Sequence, residues 1–218
     1  MGRPPKSKPE LGDARRRLLD AARRLVRTQG YAATTVDELC GAADVSKGAF
    51  FHHFVNKEAL GVAVANDWTA SVSSLFGEAD YHRVEDPRHR VLAYVALRKV
   101  LIAGALPELT CVAGTLVQET YESSPAIRDA CAASILGHAR SLEPDMQAAL
   151  EAAGQAEAVS AASLARHTQA VIQGAFVVAK AANDPTVARE SLEHLERYLE
   201  LLFFPPRPRG RTRARGES

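Results

Sequence analysis

Apolar residues recur at intervals of three and four through most of the chain, the spacing of one helix face. Between residues 61 and 204 nothing alternates with the period of two that a half-buried strand requires. The first run, Asp13 to Gln29, puts Leu18, Ala22, Leu25 and Val26 on one face and closes at Gly30, in the usual terminating position. Thr35-Val36-Asp37-Glu38 has the form of a capping box, in which the threonine hydroxyl and the glutamate satisfy each other's backbone donors. A second helix therefore starts at Val36, with Val36, Leu39, Cys40 and Ala43 at i, i+3, i+4 and i+7. Asp44 tolerates a left-handed turn, Val45 plugs the corner, and Ser46 caps a third helix from Lys47 to Phe54. Phe50 and Phe54 point inward there, leaving Lys47, Gly48, Ala49, Phe51, His52 and His53 outside. Thr34 to Leu60 thus has the spacing of a helix-turn-helix, and the small residues opening its second helix let the backbone approach a groove floor.

Beyond Leu60 the pattern stays helical. Lys57 to about Phe76 carries Leu60, Val64, Trp68 and Val72, long enough to join the headpiece to the rest of the chain. After a break from Gly77 to Asp86, Pro87 opens a helix to about Ala105 with Val91, Val95, Leu97 and Leu101 among its buried candidates, and Pro107 ends that region. Cys111 to Tyr121 is a short helix; Ser124-Pro125 opens a longer one holding Ile127, Ile135, Leu142 and Leu150, closed by Ala153-Gly154. Ser160 to Asn183 is apolar on more than one face, with Leu164, Val171, Ala175 and Val178 in one stripe and Ile172, Phe176 and Ala179 beside it. Asp184 caps and Pro185 opens the last helix, where Ala188, Leu192, Leu195, Leu199 and Leu202 form a narrow seam. The expected fold is all-α, with about nine helices.

The block from Ala14 to about Leu60 resembles the DNA-binding domain of the TetR family of bacterial transcriptional regulators. Gly30-Tyr31, Thr34-Thr35-Val36, Val45-Ser46-Lys47-Gly48, Phe50-Phe51-His52-His53-Phe54 and Asn56-Lys57-Glu58-Ala59-Leu60 carry the resemblance; the rest of the chain matches only in helical outline. The resemblance implies a ligand-responsive regulator, most commonly a repressor, that binds double-stranded operator DNA as a homodimer. It divides the chain into a basic arm (1–12), a headpiece (13–60), a helical effector-binding and dimerisation domain (61–204) and an Arg/Pro-rich tail (205–218). Lys47, Gly48, Ala49, Phe51 and His52 are then the base-edge or groove contacts. His53 and Lys57 look like phosphate contacts, with Thr34, Thr35 and Ser46 helping. Phe51 departs from the family, which usually has tyrosine there, so apolar contact such as with a thymine methyl replaces a hydroxyl's hydrogen bond. In the resembled family the two C-terminal helices pair with those of a second subunit, which assigns Val171, Ala175, Val178, Leu192, Leu195, Leu199 and Leu202 to the interface. The alternative for that seam is to close the core of a monomer.

A small effector held between the C-terminal helices would meet Trp68, Leu97, Leu101, Cys111, Leu116, Glu119, Tyr121, Ile172, Gln173 or Phe176. Glu119, Tyr121 and Gln173 stand out because polar groups in an apolar core need partners. Cys111 begins a short helix, where backbone N–H groups and the macrodipole favour a thiolate. It is a small buried hydrophobe or, as in some members of the resembled family, an electrophile or redox sensor.

Charge sharpens the division. The net charge of +1 conceals 11 basic against 7 acidic residues in 1–60, 11 against 18 in 61–204, and 5 against 1 in 205–218. Arg3, within Gly2-Arg3-Pro4-Pro5-Lys6, is placed to enter a minor groove beside the recognition site; the basic tail is either solubilising or a further DNA contact. No apolar run reaches 18 residues and no apolar segment lies behind the basic N-terminus, so neither a membrane span nor a secretory signal is expected, and the cytoplasm is. Three scattered cysteines make neither a disulfide framework nor a paired-cysteine zinc site, and adjacent His52 and His53 diverge by about 100° on a helix, so no metal is expected. No nucleophile elbow, phosphate loop, metalloprotease pair or dinucleotide fingerprint is present, so neither catalysis nor a cofactor is expected. The rival from another class is a helical small-molecule-binding or thiol-reactive protein with a vestigial headpiece.

Overall fold

The computed structural model describes residues 11–205. Among them are ten α-helices and no strand: α1 (Leu11–Gln29), α2 (Val36–Ala43), α3 (Lys47–His53), α4 (Lys57–Gly77), α5 (Pro87–Leu101), α6 (Leu106–Leu109), α7 (Val112–Thr120), α8 (Pro125–Ala152), α9 (Ala161–Ala182) and α10 (Thr186–Phe203), with a 3₁₀ turn at Asp80–Arg83. Arg3, with nearly all of the basic arm and of the C-terminal tail, lies outside the described residues.

Local chemistry accounts for most helix ends. The capping box at α2 forms, with the Glu38 backbone N–H donating to Thr35 Oγ1 at 3.1 Å and the Thr35 N–H to Glu38 Oε2 at 2.7 Å. Asp44 takes the left-handed conformation (φ 51°) that turns the chain between α2 and α3. The tenth helix, α6, is the departure from expectation. Helix α5 stops at Leu101 rather than Ala105, and the chain restarts at Leu106, where Pro107 suits a first turn and Glu108 Oε2 accepts the Ala105 N–H at 3.3 Å. Helix α10 begins at Thr186, one residue later than expected, but Asp184 still accepts its first N–H at 2.8 Å.

Two apolar cores meet along α4. One joins Leu18, Val26, Leu39, Phe50 and Phe54 to Leu60 and Val64 of α4, and takes in Leu116 of α7 with Ile127 and Cys131 of α8. The other joins Phe76, Tyr94, Met146, Ile172, Leu192, Leu195, Leu199 and Phe203, with α8 packed against α4, α5, α7 and α9. Each such large apolar side chain contributes about 1.5–3 kcal/mol by leaving water. The headpiece is therefore not sealed off after Leu60, because α7 and α8 complete its core.

The expected dimer seam needs correction. Leu192, Leu195 and Leu199 are at most 3% exposed and Ala175 is 4% exposed, because they face the protomer's own α5, α8 and α9–α10 contact. They have no surface left for a partner. Val171 and Leu202 are half-buried, and only Val178 among the seven is well exposed. The outer surface of α9 and α10 instead presents Val178, Tyr198 and Leu201, with His167 and Tyr198 in ring contact across the two helices.

Candidate DNA-facing surface and internal cavity

Helix α3 is held from beneath and open above. Phe50 is fully buried against Phe54, while Ser46 Oγ accepts the Ala49 N–H at 3.1 Å and fixes the helix start. The opposite face shows Lys47, Gly48, His52 and Phe51, the last 53% exposed; Ala49 and His53 are half-buried. A large exposed phenyl ring beside a lysine and a glycine makes a surface able to meet both bases and phosphates. Lys47 Nζ lies 2.7 Å from Asp37 Oδ1, an exposed pair at the rim of this face.

Three of the expected DNA contacts are committed elsewhere. Thr34 is 1% exposed and its hydroxyl donates to the Gly30 carbonyl at 2.6 Å, so it braces the loop from within instead of reaching a phosphate. Thr35 Oγ1 is taken by the capping box. Lys57 is half-buried, donates to the Ala32 carbonyl at 3.3 Å and lies over the Tyr31 ring, and burial lowers its pKa.

A cavity of ≈ 200 Å³ lies between α4, α5, α8 and α9, and Trp68, Leu101, Cys111, Gln173 and Phe176 border it. A second, more polar cavity of ≈ 210 Å³ shares Cys111, Gln173 and Phe176 and adds Thr110, Glu119 and Lys180. Gln173 closes onto Gly114 so tightly that a Cβ there would collide with its amide oxygen. The remaining candidates fall elsewhere: Leu116 and Ile172 are core residues at most 1% exposed, Tyr121 points to solvent at 60% exposure, and Leu97 borders a surface groove.

Sequence reasoning missed the polar wall of the first cavity. The Tyr94 hydroxyl accepts from Arg98 Nε at 2.8 Å and from Gln169 Nε2 at 3.1 Å, so its own hydrogen goes to His138 Nε2 at 3.0 Å. His138 is thereby the neutral Nδ1–H tautomer. Burial, then the Arg98 charge, pushes its pKa down to about 3. The available signal was the spacing of Tyr94 and Arg98, four residues apart beside the apolar Val91 and Val95. Convergence with His138 and Gln169, from two other helices, has no sequence signal.

Polar ties join the cavity walls to the headpiece. Glu119 Oε1 and Oε2 accept the backbone N–H groups of Tyr31 at 3.0 Å and Ala32 at 2.7 Å. Gly30 (φ +91°) allows this approach, since a Cβ there would lie 2.7 Å from Glu119. Arg27 of α1 donates to the Glu108 carbonyl at 2.9 Å, and Arg23 and Arg27 both lie over the Trp68 ring, which also borders the cavity. Of the three thiols, burial raises the pKa of Cys40, and raises that of Cys131 to about 12, with Cys111 adding to the latter shift. Cys111 borders both cavities; its Sγ accepts the Gly114 N–H at 3.3 Å.

Comparison with known proteins gives two family matches. Residues 18–64 match the family described as bacterial regulatory proteins, tetR family, and residues 102–194 match the transcriptional regulator LmrA/YxaF-like C-terminal domain. The HTH-type transcriptional repressor Rv1474c of Mycobacterium tuberculosis is 40% identical over 72 residues, 33% of this chain and 38% of that protein. The chain thus spans well under two thirds of that relative's length. A crystal structure of the reduced form of E. coli NemR superposes with a TM-score of 0.70 at 24% identity, over 85% of this chain and 97% of that one. The regulatory protein TetR from Rhodobacter sphaeroides gives 0.74 at 22% identity, over 85% and 98%. At these identities the two structures establish the fold alone.

Proposed function

Because the chain belongs to the TetR family of bacterial transcriptional regulators, we propose that it is a sequence-specific DNA-binding repressor, dimeric on a roughly palindromic operator and released by a small-molecule effector. The observation carrying this function is the outer face of α3, where Lys47, Gly48, Phe51 and His52 are presented by a helix anchored through Phe50. The effector occupies the cavity between α4, α5, α8 and α9. Its signal reaches the headpiece through Trp68 and Glu119, which touch α1 and the loop after it. The second copy packs on the outer face of α9 and α10 around Val178, Tyr198 and Leu201, which are exposed apolar residues in the protomer. Fluorescence anisotropy with operator-length duplexes from the DNA upstream of its own gene tests this directly. Saturable binding that survives competitor DNA is expected, and its absence at low salt with every upstream duplex would sink the proposal.

One observation favours a second reading, in which Cys111 is the trigger. Its sulfur borders both cavities and sits at the N-cap of α7. On this reading an electrophile that enters the cavity alkylates the thiolate and so releases the operator. Cys111→Ser should then abolish release by N-ethylmaleimide, and unchanged release removes the thiol from the mechanism.

A further inference from the structure

The cavity that borders Trp68 has a charge without a counterion. Arg98 is half-buried, stacked on Phe76 with its guanidinium carbon 4.1 Å from the ring centroid, and its Nε is committed to Tyr94. Among the described residues no carboxylate lies within 4.0 Å of that guanidinium, and its two Nη groups have no protein hydrogen bond. The groups beside it cannot neutralise it. The Tyr94 hydroxyl is fully used by Arg98, Gln169 and His138, and His138 is a neutral imidazole. The cavity's one acidic residue, Glu108, turns its carboxylate onto the Ala105 N–H at the start of α6. The rest of the wall is largely apolar, including Trp68, Leu101, Ile102, Ile135 and Phe176.

Resting on the effector reading above, we propose that this cavity takes a small organic monocarboxylate, with its carboxylate on the Nη groups of Arg98 and its apolar body against Trp68, Ile102 and Phe176. A guanidinium offers two parallel N–H donors at the spacing of carboxylate oxygens, and desolvation in a half-buried site strengthens that pair relative to water. Size sets the class of acid. An apolar cavity of about 150 Å³ takes up benzene, so ≈ 200 Å³ holds one ring or a short aliphatic chain in addition to the carboxylate. Tyr94 and Gln169 are positioning residues: the Tyr94 hydroxyl accepts from Arg98 Nε, Gln169 donates to that hydroxyl, and the free edge of the guanidinium is left to the cavity.

The chain has a single tryptophan, Trp68, so its fluorescence reports this cavity. Benzoate and hexanoate should change that fluorescence saturably, each binding about ten- to a hundredfold more tightly than benzamide or hexanamide. Arg98→Met should collapse the acid-over-amide ratio towards one, whereas Arg98→Lys, which retains the charge, should keep most of it; thermal melting checks that both variants fold. Equal binding of acid and amide, a ratio that survives in Arg98→Met, or no binding of either acid overturns the carboxylate class. Operator release is measured separately by anisotropy. Acids that bind without releasing DNA leave the class standing and sink the effector reading, while release by amides alone does the reverse.

Discussion

Glu119 grips the backbone of Ala32 at 2.7 Å, so an exposed side chain at the edge of the polar cavity fixes the loop between the first two headpiece helices. The same carboxylate takes the neighbouring Tyr31 N–H, and together these bonds tie α7 to the headpiece across 87 and 88 residues of sequence. Replacing Glu119 with alanine removes a charged acceptor from two amides and should lower stability by about 1–2 kcal/mol in urea denaturation. The larger consequence is functional: hydrogen exchange at Tyr31 and Ala32 should accelerate, and effector-driven operator release should weaken. Unchanged exchange at both amides would show that the contact does not restrain the loop.

Lys47 and Asp37 form an ion pair on the rim of the α3 face. On the proposed DNA-binding reading, Lys47 has to leave Asp37 to reach the operator, and that carboxylate then lies near phosphates. Lys47→Met should weaken operator binding by roughly 1–3 kcal/mol, with relaxed sequence preference if the amine reads guanine and a uniform loss if it meets phosphate. Asp37→Asn should strengthen binding, most at low salt. Anisotropy titrations at several salt concentrations separate these outcomes.

Phe51 is 53% exposed beside Lys47, at the position where the family usually carries tyrosine. Phe51→Tyr restores a hydroxyl at the outer edge of the ring without disturbing Phe50 beneath it. Operator affinity should rise by about 1 kcal/mol if that hydroxyl reaches a phosphate. Weaker binding would indicate instead that the ring edge lies against an apolar group such as a thymine methyl.

His138 gives the protein an acid limb. Its folded-state pKa, about 3, lies below the 6.5 of a free imidazole, so between those values the unfolded chain binds more protons and stability falls as pH falls. Above pH 6.5 the group contributes no pH dependence. By pH 4.5 the loss is on the order of 2 kcal/mol after allowance for partial solvation. Thermal melts from pH 7 to 4.5 should show this decline, and His138→Gln should flatten it. An equally steep decline in the variant would assign the acid limb to other groups.

Val178 and Leu199 separate assembly from folding. Val178 is 53% exposed on the outer face of α9, so Val178→Arg should shift sedimentation from dimer to monomer while leaving helical content intact. Leu199 is fully buried in the protomer core, and Leu199→Ala should lower stability by about 2–5 kcal/mol. A dimer that persists in Val178→Arg places the interface elsewhere.

Local chemistry determined the helix-turn-helix within the headpiece. The capping box at Thr35, the left-handed turn at Asp44 and the inward pair Phe50 and Phe54 depend on neighbours within a few residues, so both the helix-turn-helix and its exposed face could be read from spacing. The all-α character of the remainder came from the same periodicity. Tertiary structure decided which apolar stripes face the protomer's own core and which face outward, because period alone gives a helix an apolar side but does not name its neighbour. Leu192, Leu195 and Leu199 turn inward for that reason, leaving Val178, Tyr198 and Leu201 outside. The same limit hid the cavity wall. Tyr94, Arg98, His138 and Gln169 come from three helices and become one hydrogen-bonded group only when α5, α8 and α9 pack together.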